Sequence, residues 1–250
     1  MSTYVYGIAD AAHPSLPDGM EGIGRPALTV RTVTGGGLAA IVSDAPENLR
    51  PKRRDLLAHQ NVLSEAGGGG TVLPMRFASV AEDDDAVTAA LEERAAHYHE
   101  RLEALRDRVE YNVKAQHDED SVLRTVMTEH PEVQAQVERN RANGGGSQGE
   151  KLRLGEMVAS AVQHRELLDA QLIRASLEPH AHDVSPGPES SGWITNLSFL
   201  VDRASSERIL GAVEELRQSS PHILFSVNGP LPPYSFVEVT PTAPQAAAVG

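Results

Sequence analysis

Val109-Glu110-Tyr111-Asn112-Val113 alternates apolar and polar residues, and it opens the half of the chain whose reading decides the fold. A period of two marks a strand with one buried face. Working forward, Asp118 to about Asn143 and Glu150 to about Ser176 are helical by composition, and Leu177 to Val184 and Trp193 to Val201 read as strands. A helix over Ser205 to Gln218 and a strand over His222 to Val227 complete the order βαββαβ. Such an order belongs to the α+β class, in which helices cover one face of an antiparallel sheet.

The order predicts a ferredoxin-like sandwich for the second half, with long helices enlarging the first crossover. Working backward, Tyr4-Val5-Tyr6-Gly7-Ile8 is rich in strand formers, and an alternating run follows over Leu28 to Val33. Gly35-Gly36-Gly37 then separates Thr29–Val33 from Leu38–Val42, the pattern of a hairpin with a glycine turn. A helix starts after Pro51, carries Leu56, Gln60 and Leu63 on one face, and ends at Gly67 to Gly70; Thr71-Val72-Leu73 is a short strand. Glu82 to Asp85 puts negative charge on the first turn of a further helix, where the macrodipole favours it. Its stripe is Val87, Leu91, Ala95, Tyr98, Leu102 and Leu105. The first half thus reads βββαβα, a modified ferredoxin-like domain over residues 1–106. Residues 107–239 form the second domain, with a flexible Gly-rich linker at 144–149, and 240–250 is a disordered Pro/Ala-rich tail.

The 250 residues carry 22 Lys+Arg against 35 Asp+Glu, a net charge of −13. So acidic a chain lacks the cationic field that concentrates nucleic acid or anionic lipid, so neither is expected as a partner. There is no cysteine, which removes disulfides, thiolate metal sites and a cysteine nucleophile. Met1 to Asp10 has neither positive charge nor a signal-length apolar run, and prolines interrupt the uncharged stretch Pro221 to Val237. A soluble cytoplasmic protein is the expectation.

Catalytic motifs are absent or trivial. Gly145-Gly146-Ser147-Gln148-Gly149 matches the nucleophile pattern GxSxG, but a charged helical stretch precedes it where a strand is required. Gly19, Gly22 and Gly24 lack the strand and helix of a dinucleotide loop. His97 and His99 lie roughly 200° apart on a helix. His180 and His182 share a strand face beside Asp183, yet read as ordinary exposed histidines, so no metal, cofactor or catalytic residue is assigned. Arg50, Lys52, Arg53 and Arg54 form the one basic cluster, read as a solvated corner.

Two segments stand apart. Val72-Leu73-Pro74-Met75-Arg76-Phe77 carries a proline and a lone arginine in an apolar run, the mark of an edge strand or bulge. Asn228-Gly229-Pro230-Leu231-Pro232-Pro233-Tyr234-Ser235-Phe236 presents large side chains on a rigid backbone that cannot be a central strand. It either staples the two domains together or docks a partner.

Together with Tyr4–Ile8, Ala40-Ile41-Val42-Ser43 and His59-Gln60, these segments resemble the GvpL/GvpF family of gas vesicle proteins, in the family's order from residue 4 to about 239. The family usually continues Met-Arg-Phe with Gly-Thr-Val, where this chain has Ala78-Ser79-Val80. The resemblance implies a minor vesicle component and assembly factor, located in the cytoplasm and on the gas vesicle. It would bind the small, β-rich, hydrophobic shell protein and limit its aggregation during nucleation, beside other accessory proteins. Leu73, Pro74, Met75, Arg76 and Phe77, with Pro230, Leu231, Pro232, Pro233 and Tyr234, are the expected contact surface, taking the shell protein by strand addition. The competing classes are a ligand-binding regulatory module and an enzyme with its site between the domains.

Overall fold

Tyr4, Tyr6 and Ile8 alternate along strand β1 (Thr3–Asp10) and are all buried, so this strand organises the first sheet. The structure, a computed structural model, describes residues 1–14, 16–188 and 192–238. Contacts divide the chain into two units, Met1–Glu110 together with the chain from Pro230, and Tyr111–Gly229. The expected second domain ran to residue 239; the segment from Pro230 instead groups with the first unit, for reasons given by its anchors below. The expected tail at 240–250 lies outside the described residues.

In the first unit, β2 (Arg31–Gly35) and β3 (Leu38–Asp44) form the expected hairpin. Gly36 and Gly37 turn it at φ +61° and +78°, conformations that a β-carbon disfavours. Strand β4 (Val72–Pro74) pairs with the other side of β1, giving the order β2-β3-β1-β4, and the two-residue β5 (Val80–Ala81) also pairs with β1. The second strand begins at Arg31 and not at Leu28, because Thr29 is drawn into an isolated bridge with Glu21.

Helix α1 (Arg53–Gly69) departs from its expected face and end. Asp55, His59, Val62, Leu63 and Ala66 are buried while Leu56 is exposed, because docking on β1 and β4 turns the helix toward a face whose polar members find partners inside. Gly67 to Gly69 continue the helix instead of ending it. The helix predicted from Glu82 to Leu105 is two, α2 (Asp84–Glu93) and α3 (Ala95–Ala104), broken at Arg94. Helix α2 packs on β2, β3 and β5, and α3 on β1 and β4, so the break lets one apolar stripe follow two parts of the sheet. The acidic run acts as expected at the N-terminus: Asp83 Oδ1 accepts from Ala86 N at 2.8 Å. Asp84 is used otherwise, accepting from Arg31 at 2.8 Å and Thr3 at 2.5 Å.

The second unit holds β6 (Arg108–His117) from Tyr111 onward, α4 (Glu119–Glu129), α5 (Pro131–Ala142), α6 (Gln148–Leu177), β7 (Asp183–Pro186), β8 (Thr195–Asp202), α7 (Ser206–Ser219) and β9 (Ile223–Leu231) as far as Gly229. Its sheet order is β7-β8-β6-β9. Both sheets are antiparallel, so the α+β class holds. The single helix expected from Asp118 to about Asn143 is two, because Pro131, at the first helical position of α5, ends α4 at Glu129, two residues before it. The expected linker at 144–149 is shorter: Gly144 to Gly146 make the turn at positive φ, and Ser147 already caps α6. Ser147 Oγ accepts from Glu150 N at 3.3 Å while the Glu150 carboxylate accepts from Ser147 N at 2.7 Å, a capping box. The serine of the GxSxG match is thereby a helix cap. The strand expected from Leu177 begins only at Asp183, because Ile173 and Leu177 are both fully buried and carry the helical stripe one turn further.

Candidate functional site

Strand β4 is the end strand of its sheet among the described residues, with β1 on one side only. Val72, Leu73 and Pro74 are all buried, so this part of the expected surface presents neither side chains nor backbone to solvent. The chain then leaves the sheet through Met75, Arg76 and Phe77, hung on two core side chains. Met75 N donates to Tyr6 O at 2.8 Å. The Met75 carbonyl takes a hydrogen bond from His59 Nε2 at 3.1 Å, which leaves His59 Nδ1 to accept from the Tyr4 hydroxyl at 2.9 Å. The Tyr4 oxygen in turn accepts from Ala78 N at 3.3 Å. Phe77 lies edge-on to Tyr4 and to His59, with ring centroids 5.9 Å away in each case. Burial lowers the pKa of His59 against the opposing pull of the Met75 carbonyl, and burial raises that of Tyr4, so both stay neutral. Arg76 is exposed on this platform and makes no ion pair among the described residues.

The proline-rich segment is bound to the first unit's own core. Glu110, itself buried, accepts from Ser235 N and Ser235 Oγ, both at 2.8 Å. Arg101 donates to the carbonyls of Phe236 and Val237 at 2.6 and 3.1 Å. Tyr234 packs on the cluster of Tyr4, Tyr6, Val62 and Leu63, and burial with the nearby Glu110 charge pushes its pKa up to about 12. Pro233 is buried, Leu231, Pro232 and Tyr234 are half-buried, and Pro230 is exposed. What the expected surface presents to solvent is therefore Arg76 and Pro230, with partial exposure of their neighbours.

The histidines assessed from the sequence do not converge. His99 lies 3.1 Å from the Gly36 carbonyl, while His180 sits in a 3-10 turn and not on a strand face. His182 pairs with Asp202 at 2.8 Å. Spacing missed a different group. In the second unit His117 Nε2 and His222 Nε2 stand 2.9 and 3.0 Å from one oxygen, Oδ2, of the fully buried Asp169. Arg165 Nε donates to the other oxygen at 3.0 Å, and its NH1 lies 3.1 Å from Glu129. Burial opposes the Asp169 charge, yet the hydrogen bonds from His117 and Arg165 outweigh it and hold the pKa at about 2. Intervals of 52 and 53 residues separate the histidines from Asp169, so no local signal announced the group.

Residues 2–238 match the family described as gas vesicle synthesis protein GvpL/GvpF. The chain belongs to that family. Gas vesicle protein F of Streptomyces sp. strain CB03234 is 60% identical over 238 residues, covering 95% of this chain and all of the relative. Gas vesicle protein L of the same strain is 28% identical over 253 residues, covering 94% and 92%. Among solved structures, the GvpF crystal structure from Anabaena sp. PCC7120 superimposes with a TM-score of 0.76 at 26% identity, over 96% of this chain and 99% of that one. The GvpF structure from Microcystis aeruginosa gives 0.73 at 24% identity and supports the fold. The GvpL/GvpF family is a gas vesicle structural and assembly family and not a known enzyme family. Among the described residues, no helix is long and apolar enough to cross a membrane.

One departure from the GvpL/GvpF pattern now has a physical meaning. Ala78 stands where the family usually has glycine, and its φ is +73°. The left-handed conformation costs an L-residue roughly 1–2 kcal/mol, part of which glycine returns through its freer unfolded state. Ala78→Gly is expected to stabilise the protein by about 0.5 to 1 kcal/mol. The urea unfolding midpoint is the measurement; an unchanged or lowered midpoint contradicts the strain.

Proposed function

We propose that the protein is an assembly factor that binds the small hydrophobic shell protein of the gas vesicle and limits its aggregation during nucleation. It acts in the cytoplasm and at the growing vesicle, beside other accessory proteins, with no nucleic acid or lipid membrane as partner. Within this reading the two units are a modified ferredoxin-like domain and a ferredoxin-like domain. The βαββαβ order of the second, with its strands arranged β7-β8-β6-β9, supports that assignment.

Family membership carries the reading, and the segment leaving the end strand gives it a surface. An apolar, β-rich client meets the protein at Arg76 and Phe77, just past the end strand, where an exposed guanidinium and a half-buried ring supply side-chain selectivity; strand addition to Val72–Pro74 itself requires that buried edge to open locally. The exposed face of Pro230 to Tyr234 is the second part of the proposed surface. A charge of −13 opposes self-association while an apolar client is held.

Co-expression with the shell protein is the test. The shell protein is expected to stay soluble and co-purify with the wild-type chain, and to lose co-purification at least tenfold with Arg76→Ala or Phe77→Ala that keep the wild-type circular dichroism. Aggregation of the shell protein regardless of this chain overturns the assembly role. Retained binding by both folded variants overturns the surface.

A further inference from the structure

The His117–Asp169–His222 group has no part in the proposed shell-protein surface, and it comes from three separate elements: the last residue of β6, the C-terminal third of α6 and the residue before β9. Its donor atoms, one from each residue, all lie within 4.8 Å of one another. We propose that His117 Nε2, His222 Nε2 and Asp169 Oδ2 bind a single divalent transition-metal ion of the zinc class. Solvent supplies the fourth ligand.

Three features of the geometry support this. Two imidazoles aim the same ring nitrogen at the same carboxylate oxygen, at 2.9 and 3.0 Å, so their donor atoms already surround one point. An ion with bonds of 2.0 to 2.2 Å takes ligands at such separations with modest adjustment. Second, Arg165 holds the other oxygen of Asp169, which orients the carboxylate and leaves Oδ2 as the donor facing the rings. Ligating carboxylates are held from outside in this way. Third, the Asp169 side chain is fully buried while each imidazole keeps 11% of its surface exposed, so the group opens to solvent on the histidine side.

Charge and ligand type narrow the ion. Around the rings, Asp169 and Glu129 contribute two negative charges and Arg165 one positive, an excess of negative charge that suits a cation. Two nitrogen donors and a single oxygen suit zinc, cobalt or nickel and are poor for magnesium or calcium, which take mostly oxygen. Loading exchanges two N–H···O hydrogen bonds for two metal–nitrogen bonds. Ligation through Nε2 leaves each ring with its proton on Nδ1, and any proton displaced on loading goes to solvent.

The full chain without an affinity tag, stripped with chelator, is titrated with zinc chloride by calorimetry and with cobalt chloride by visible absorption. One ion per chain is expected, with tetrahedral cobalt bands displaced by zinc and a melting temperature raised by about 5 °C or more at a hundredfold excess over Kd. His117→Gln and His222→Gln are each expected to weaken binding at least tenfold, the loss typical of a removed ligand or its support. His182→Gln is expected to leave it unchanged. No heat, no cobalt bands and no melting shift in the wild type overturn the proposal and leave a hydrogen-bonded cluster. Equal binding by the two folded ligand variants overturns it as well. If neither variant folds, the zinc-edge X-ray absorption of the loaded wild type decides: two imidazoles are expected, and a shell of oxygen alone overturns the assignment. None of these results depends on the shell protein, so the two proposals fail separately.

Discussion

Asp169→Asn lowers the unfolding free energy by about 3 kcal/mol or more, measured by urea denaturation at neutral pH in the presence of chelator, so that no metal contributes. Asp169 is fully buried and takes hydrogen bonds from His117, His222 and Arg165. An amide has one acceptor oxygen where the carboxylate has two, and its NH2 faces groups that are themselves donors. Removing one partner of a buried ion pair leaves the other charge uncompensated, which typically costs about 3–5 kcal/mol. Glu129 lies 3.1 Å from Arg165 and is 43% exposed, so it compensates only in part. A loss under about 1 kcal/mol would show that Arg165 and the two rings rearrange around a neutral partner.

The second large effect lies in the first unit. A β-carbon on Gly22 would stand 2.0 Å from the Tyr6 hydroxyl and 2.9 Å from its ring. Tyr6 is fully buried, and that hydroxyl accepts from Ile23 N at 2.8 Å and lies 3.0 Å from Ser43 Oγ. A rigid ring held at its tip cannot step aside without breaking both bonds. Overpacking and a lost buried hydrogen bond each cost about 1–3 kcal/mol, so Gly22→Ala is expected to destabilise by about 3 kcal/mol. Gly211→Ala is the matching control. Its β-carbon meets nothing within 4 Å inside α7, and helix propensity predicts a gain of about 0.5–1 kcal/mol. Opposite shifts in the unfolding midpoints are the expected result; equal shifts would contradict the close approach at Gly22.

Much of the fold was legible because its signals are local. The hairpin at Gly36-Gly37 needs two residues at positive φ, and the Asp83 cap needs a short acceptor beside free N–H groups. The proline-bearing Val72–Pro74 falls at the end of its sheet, where a missing N–H is tolerated. Composition and charge disfavoured nucleic acid and lipid, and the five quoted segments carried the likeness to the GvpL/GvpF family that the match over residues 2–238 establishes.

Misreadings arose where distant residues overruled local pattern. Leu56 had the look of a core residue, but β1 and β4 dock the face of α1 that carries His59, whose two ring nitrogens are used by Tyr4 and Met75. The chain from Pro230 read as the end of the second domain, while Glu110 and Arg101 bind it within the first unit from more than a hundred residues away. At Ala78 the residue type gave no sign of strain, and only its φ of +73° shows that the position favours glycine.

The sequence by itself determined the α+β class, the glycine turn of the first hairpin, the acidic start of α2 and the family, because each depends on neighbouring residues or on order along the chain. Tertiary structure alone decided which helix faces are buried, where the C-terminal segment is held, and that His117 and His222 meet at one oxygen of Asp169. Those outcomes follow from contacts between residues tens of positions apart, and a periodicity read along the chain carries no record of them.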